Sequence, residues 1–172
     1  THTHQVNGGA VQLMASNTYD EMGQLISKNV GNSTGSPLQK VDYNYNVRGW
    51  LTGINEIDNL QQDADPEDLF AFKINYDKPE TQNPDVDPLY NGNIAETLWK
   101  TASNRPLRSY GYRYDKLNRL NDAFYRKPED AVPNSGAYNE SLSYDKNGNI
   151  KFLERNGDND APSIVFKIDD LT

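Results

Sequence analysis

A chain of 172 residues with 35% hydrophobic content and a mean hydropathy of −0.89 is long enough for one ordinary domain but poor in the side chains that fill a large core. A net charge of −8 leaves no basic stripe for nucleic acid or an anionic membrane surface, so neither is expected as a partner. No Cys is available to staple the fold, and no apolar run is long enough to insert as a membrane-spanning helix.

Eleven Tyr against five Phe and two Met point to strand faces that are half-buried, where a ring packs and its hydroxyl finds a partner. Abundant Gly, Pro, Asn and Asp fit a chain that turns often. The expected class is all-β, built of repeated antiparallel β-hairpins with few or no helices. In chain order, His2 and His4 open a short strand at i, i+2, a spacing metals can use, but they read as an exposed strand edge and no metal is assigned. "TYDEMGQLISKNVG" at 18–31 then places Tyr19, Asp20, Gly23 and Leu25. "YNYNVRGWLTGINE" at 43–56 repeats the phrase as Tyr45, Asn46, Gly49 and Leu51. "IDNLQQDADPEDLF" at 57–70 is an acidic excursion, with a helical turn expected after Asp65 because Pro66 suits a first helical position.

The third copy is split. "FKINYD" at 72–77 ends on Tyr76 and Asp77, "LYNGNI" at 89–94 supplies Gly92 and Ile94, and "KPETQNPDVDP" at 78–88 reads as a loop inserted in the turn. "AETLWKTAS" at 95–103 reads as a strand. "YRYDKLNRLNDAFY" at 112–125 carries Tyr114, Asp115, Asn118 and Leu120; "YRKPEDAVPNSGAYN" at 125–139 is a further excursion; "SYDKNGNIKFLERNG" at 143–157 carries Tyr144, Asp145, Gly148 and Ile150. The repeats lie near 11–31, 40–56, 70–100, 108–125 and 138–156, and another strand begins within 163–172. All three excursions are expected to be exposed. Residues 1–172 read as a single repeat segment cut from a longer polypeptide.

Each position has a physical reason. The Tyr ends the incoming strand. Asp or Asn bonds its own backbone two residues on and starts the turn. Gly, or Asn in its place, takes the left-handed conformation that closes a hairpin loop with a bulge. The apolar residue at +6 opens the outgoing strand. One hairpin is marginal alone, and hairpins side by side bury a continuous face.

The phrase Y-D-x-x-G-x-[LI], recurring every 26 to 38 residues from Tyr19 to Tyr144, resembles the tyrosine-aspartate (YD) repeat of the rearrangement-hotspot (RHS) family. The resemblance covers nearly the whole chain. It implies a twisted, curled sheet forming part of a YD-repeat shell. It also implies a large secreted or cell-surface bacterial protein, in which such shells often enclose a C-terminal toxin; the related teneurins act in adhesion. Carbohydrate binding has been proposed for these repeats. The Asp-Pro-x-Gly core signature of the family is absent, since "ADP" at 64–66 and "VDP" at 86–88 lack the following Gly. No self-cleavage residue is therefore carried over.

The remaining chemistry is sparse. Closely spaced acids in the excursions, including Asp63, Asp65, Glu67 and Asp68, read as solvated, and no catalytic residue is assigned. Asp158 and Asp160 have oxygen ligands at calcium-loop density without calcium-loop spacing. No cofactor is expected. Trp50, Trp99, Tyr110 and Tyr125 are the aromatic candidates for stacking on a sugar. The expected function is structural: a wall or scaffold segment whose partners are the rest of its polypeptide and an enclosed toxin. The alternative is a module that binds carbohydrate or protein through aromatics and acidic loops.

Overall fold

The computed structural model describes residues 1–62 and 65–158 in full and residues 164–168 as backbone. The chain is all-β, with no helix among the described residues. The strands are β1 (His2–His4), β2 (Gln12–Tyr19), β3 (Leu25–Val30), β4 (Gln39–Tyr45), β5 (Leu51–Ile54), β6 (Phe70–Asn75), β7 (Glu96–Thr101), β8 (Arg108–Tyr114), β9 (Leu120–Arg126), β10 (Glu140–Tyr144), β11 (Ile150–Asn156) and β12 (Ile164–Ile168). β7 confirms the strand expected at 95–103, and β12 the strand expected within 163–172.

Two compact units share these strands. The first is Thr1–Lys73 with Trp99–Arg105, and the second is Ile74–Leu98 with the chain from Pro106 onward. Within the first, β1 to β6 pair in chain order, each antiparallel to the next. Within the second, β8 to β12 do the same. Each hairpin follows from its sequence: alternating side chains on both arms and a tight turn between them. The register shifts by one residue at each anchor tyrosine, so that Tyr19 faces Leu25, Tyr45 faces Leu51, Tyr114 faces Leu120 and Tyr144 faces Ile150. That shift is the bulge the glycine position requires.

The excursions differ from expectation. They are not simply solvated, because each supplies core residues. Ile57 and Leu60 are 6% and 5% exposed, Val86 is 7% exposed, and Ala137 is 4% exposed. In the second unit the sheet makes room for Val86 at Gly111, a buried residue with no side chain. A segment that folds back over such positions fills space a large side chain would occupy. The helical turn expected after Asp65 is also absent. The backbone there is committed elsewhere: the Asp68 N–H donates to the Leu60 carbonyl, the Leu69 N–H to Gln39 Oε1, and the Glu67 carbonyl accepts from Gln39 Nε2. Long-range bonds have displaced the local i to i+4 pattern.

Candidate functional site

The recurring turn is one object built four times. In each, the residue after the tyrosine accepts two backbone N–H bonds through one side-chain oxygen. Asp20 accepts from Met22 and Gln24, Asn46 from Arg48 and Trp50, Asp115 from Leu117 and Arg119, and Asp145 from Asn147 and Asn149, all within 2.8–3.0 Å. The +4 residue closes the loop by donating to the carbonyl of the +1 residue. Its φ is positive every time: 81° at Gly23, 78° at Gly49, 61° at Asn118 and 89° at Gly148. Asn118 thus takes the glycine role by the conformation Asn tolerates best.

These bonds favour charged carboxylates. The Arg119 backbone N–H, with its guanidinium, holds Asp115 below the usual carboxylate range. The Asn149 side-chain amide and then its backbone N–H do the same for Asp145. A lowered folded pKa gives stability that is present above the ordinary carboxylate value and lost as pH falls through the lowered one.

Adjacent turns are clasped to each other in two ways. The anchor hydroxyl donates to the carbonyl of the +6 residue one repeat earlier: Tyr45 to Leu25 at 3.0 Å, Tyr114 to Ile94 at 2.9 Å and Tyr144 to Leu120 at 2.7 Å. In the reverse sense, the +5 side chain reaches the following turn: Gln24 Nε2 to the Gly49 carbonyl, Asn93 Nδ2 to Asn118 Oδ1, and Arg119 Nη1 to the Asp145 carbonyl. Arg119 also lies 4.6 Å from the Tyr144 ring centroid. The +5 role was missed in reading the sequence; Gln24, Asn93 and Arg119 fill it, whereas Trp50 stands at that position after Tyr45. Tyr144→Phe is expected to lower stability by about 1 kcal/mol, the net worth of one hydrogen bond. Tyr19→Phe should leave it unchanged, because Tyr19 is 56% exposed and makes no such clasp. Urea denaturation of both variants checks this.

The third copy keeps the strands but not the simple turn. The Leu89 N–H donates to the Tyr76 carbonyl and closes the insertion at its base. Asp77 is exposed, and Asn91 takes over the acceptor role, receiving the Asn93 N–H at 3.0 Å beside Gly92, whose φ is 96°. The insertion is anchored by Glu96, which is 0% exposed. Its carboxylate accepts from Asn75 Nδ2 at 2.9 Å, the Glu80 N–H at 2.7 Å, the Thr81 N–H at 3.0 Å and the Thr81 hydroxyl. Farther along, Asn83 and Val86 lie over Gly111, and Arg126 Nη1 donates to the Gln82 carbonyl at 2.7 Å.

The aromatic candidates fall two in each unit. Trp50 and Trp99 belong to the first unit; Trp50 is half-buried beneath the Arg48 guanidinium at 5.0 Å. Tyr110 and Tyr125 belong to the second unit and meet edge-on at 5.4 Å, and Tyr125 meets Tyr138 at 5.2 Å. Burial pushes the Tyr110 hydroxyl up to about 12. Tyr125 is 5% exposed, so it is a core ring without an open face for stacking on a sugar. It is one of the residues lining a cavity of about 330 Å³, with Lys127, Asp130, Ser135 and Asp158. A second cavity, of about 430 Å³, lies between Thr81, Leu98, Leu107 and Arg126.

In the first unit, Lys40 Nζ bridges Asp42 at 3.2 Å and Asp65 at 2.8 Å. Nearby Asp68 is 7% exposed, and its pKa is pushed up to about 6 by burial first and then by Asp42 and Asp65, against the pull of Lys40. A raised folded pKa gives stability that is full below the ordinary carboxylate value and lost as pH rises through about 6. Asp68→Asn removes that loss. It is expected to raise stability at neutral pH by about 1–2 kcal/mol and to flatten the stability profile between about pH 4 and 6, as thermal melts across that range would show.

His2 and His4 are exposed on β1, and no cluster of three or more metal-ligating side chains occurs among the described residues. Asp158 borders the smaller cavity; Asp160 lies outside the described residues. No protein-family model matches the chain, and no curated protein matches it.

Proposed function

We propose that the chain is a structural wall segment of a large secreted or cell-surface bacterial protein of RHS type, its YD repeats forming part of a shell or scaffold. The observation that carries this reading is how the repeat spends its polar groups. A side-chain oxygen of the Asp or Asn is occupied by backbone amides in all four tight turns, and three anchor hydroxyls are occupied by the preceding repeat. A motif that uses its chemistry internally supports construction better than catalysis. Limited proteolysis of the intact polypeptide containing this segment, followed by mass spectrometry, tests the proposal. A downstream fragment that stays associated and protected is expected for a wall around a toxin. Stepwise digestion into repeat-sized pieces, with nothing retained, contradicts the enclosing role.

The smaller cavity favours a second reading, carbohydrate binding. A cavity bordered by Lys127, Asp130, Ser135 and Asp158 offers the donors and acceptors that sugar hydroxyls match. A glycan array in which binding is lost with Asp130→Ala supports it, and an array without binding removes it.

A further inference from the structure

We infer that the larger cavity of the second unit is a binding site for a small organic monocarboxylate, held by Arg126. The cavity has a volume of about 430 Å³, within the range of small-ligand sites. Its lining runs from Glu80 to Pro133, all of it in the second unit and all of it among the described residues. Leu98, Leu107, Pro128 and Pro133 give it apolar walls, with the Arg126 cation set among them. Arg126 and Tyr125 are neighbours on β9 and leave it on opposite faces, so this cavity is distinct from the one Tyr125 lines.

Among the described residues the Arg126 guanidinium makes one hydrogen bond, from Nη1 to the Gln82 carbonyl at 2.7 Å, and pairs with no carboxylate. Its Nε is buried without an acceptor. Nε and Nη2 form an edge of the fork that takes a carboxylate through two parallel bonds. A buried donor left unmatched is costly, and a carboxylate on this edge removes that cost. Donors are in surplus nearby as well. Ser109 lies opposite Arg126 across the β8–β9 pair, and its Oγ is buried without a partner among the described residues. Asn83 packs at Gly111, two residues along β8, and its Nδ2 is buried in the same condition. The walls then select the ligand. One guanidinium with a nitrogen already committed suits a single negative charge, and Glu80 on the lining disfavours a second. The apolar side chains suit an aliphatic or aromatic body.

NMR titration of the isotopically labelled 172-residue chain tests it, with benzoate as the probe and benzamide and inorganic phosphate as comparisons. Benzoate is expected to shift the Arg126 Nε–H and the Leu98 and Leu107 methyl resonances saturably, with a dissociation constant of roughly a millimolar. Benzamide, which has the same shape without the charge, should bind about ten-fold more weakly, and Arg126→Gln should weaken benzoate by a similar factor. Glu80→Gln should tighten benzoate about two- to three-fold by removing a like charge. The Glu80 backbone N–H keeps its bond to Glu96 in that variant, so the test holds even where Arg126→Gln disturbs the fold. The inference is overturned by no saturable shift up to about 50 mM benzoate. It is equally overturned by benzamide binding as well as benzoate, by phosphate binding more tightly, or by benzoate shifts that gather on Tyr125 and Ala137.

Discussion

Replacing Glu96 with alanine is expected to cost about 3–5 kcal/mol, because it leaves a buried and several part-buried donors without their acceptor. The Asn75 amide, the Glu80 and Thr81 backbone N–H groups and the Thr81 hydroxyl all converge on this one carboxylate. Burial at 0% exposure means that water cannot replace it unless the insertion lifts away. The loss is therefore bounded by what holds residues 78–88 down, chiefly the packing of Asn83 and Val86. Glu96→Gln should fall between wild type and alanine. It keeps the shape and one acceptor oxygen but turns an NH₂ group towards donors. Urea denaturation gives the magnitudes, and amide exchange at Glu80 and Thr81 shows whether the insertion has detached. A Glu96→Ala protein of wild-type stability would mean that this cluster does not anchor the loop.

Gly111→Val should be nearly as damaging, at about 3 kcal/mol, by overpacking. A Cβ at this position overlaps Val86 Cγ2 and comes within 3.1 Å of Asn83 Nδ2. Both are buried, so neither can swing into solvent without breaking the layer over the sheet. Gly53 is the control. It is also a buried strand glycine, but a Cβ there would meet nothing nearer than 3.5 Å, an ordinary contact. Gly53→Ala is expected to change stability by less than about 0.5 kcal/mol. If the insertion is displaced in Gly111→Val, proteases should cut within 78–88 under conditions that leave wild type intact.

The local parts of this fold were legible in the sequence, and the non-local parts were not. Tyr, Asp, Gly and Leu at fixed offsets report the turn and its bulge because every bond in that turn is made within a few residues. Asn118 could be assigned to the glycine role for the same reason. The tyrosine clasp was hidden, since Tyr45 and Leu25 meet only through the sheet, and a half-buried ring reads the same with or without a bond at its hydroxyl. Glu96 carried no signal either; a charged residue on a strand ordinarily faces water. The excursions misled most. Their Pro and acid content suggested solvent, whereas Ile57, Leu60 and Val86 are buried, Val86 over Gly111. The aromatic candidates were chosen by residue type, and burial of Tyr125 shows that type alone does not separate a core ring from a binding ring.

The central claim is that one sequence phrase builds one turn four times, with one side-chain oxygen of its Asp or Asn engaged by two backbone amides. Native-state amide exchange tests it most directly. The N–H groups of Met22, Gln24, Arg48, Trp50, Leu117, Arg119, Asn147 and Asn149 should all be protected at neutral pH, despite belonging to surface turns, because each donates to a side-chain oxygen. The neighbouring turn residues Glu21, Val47, Lys116 and Lys146 should exchange freely. If both sets exchange at the rates of an open loop, the repeated turn is not a structural unit.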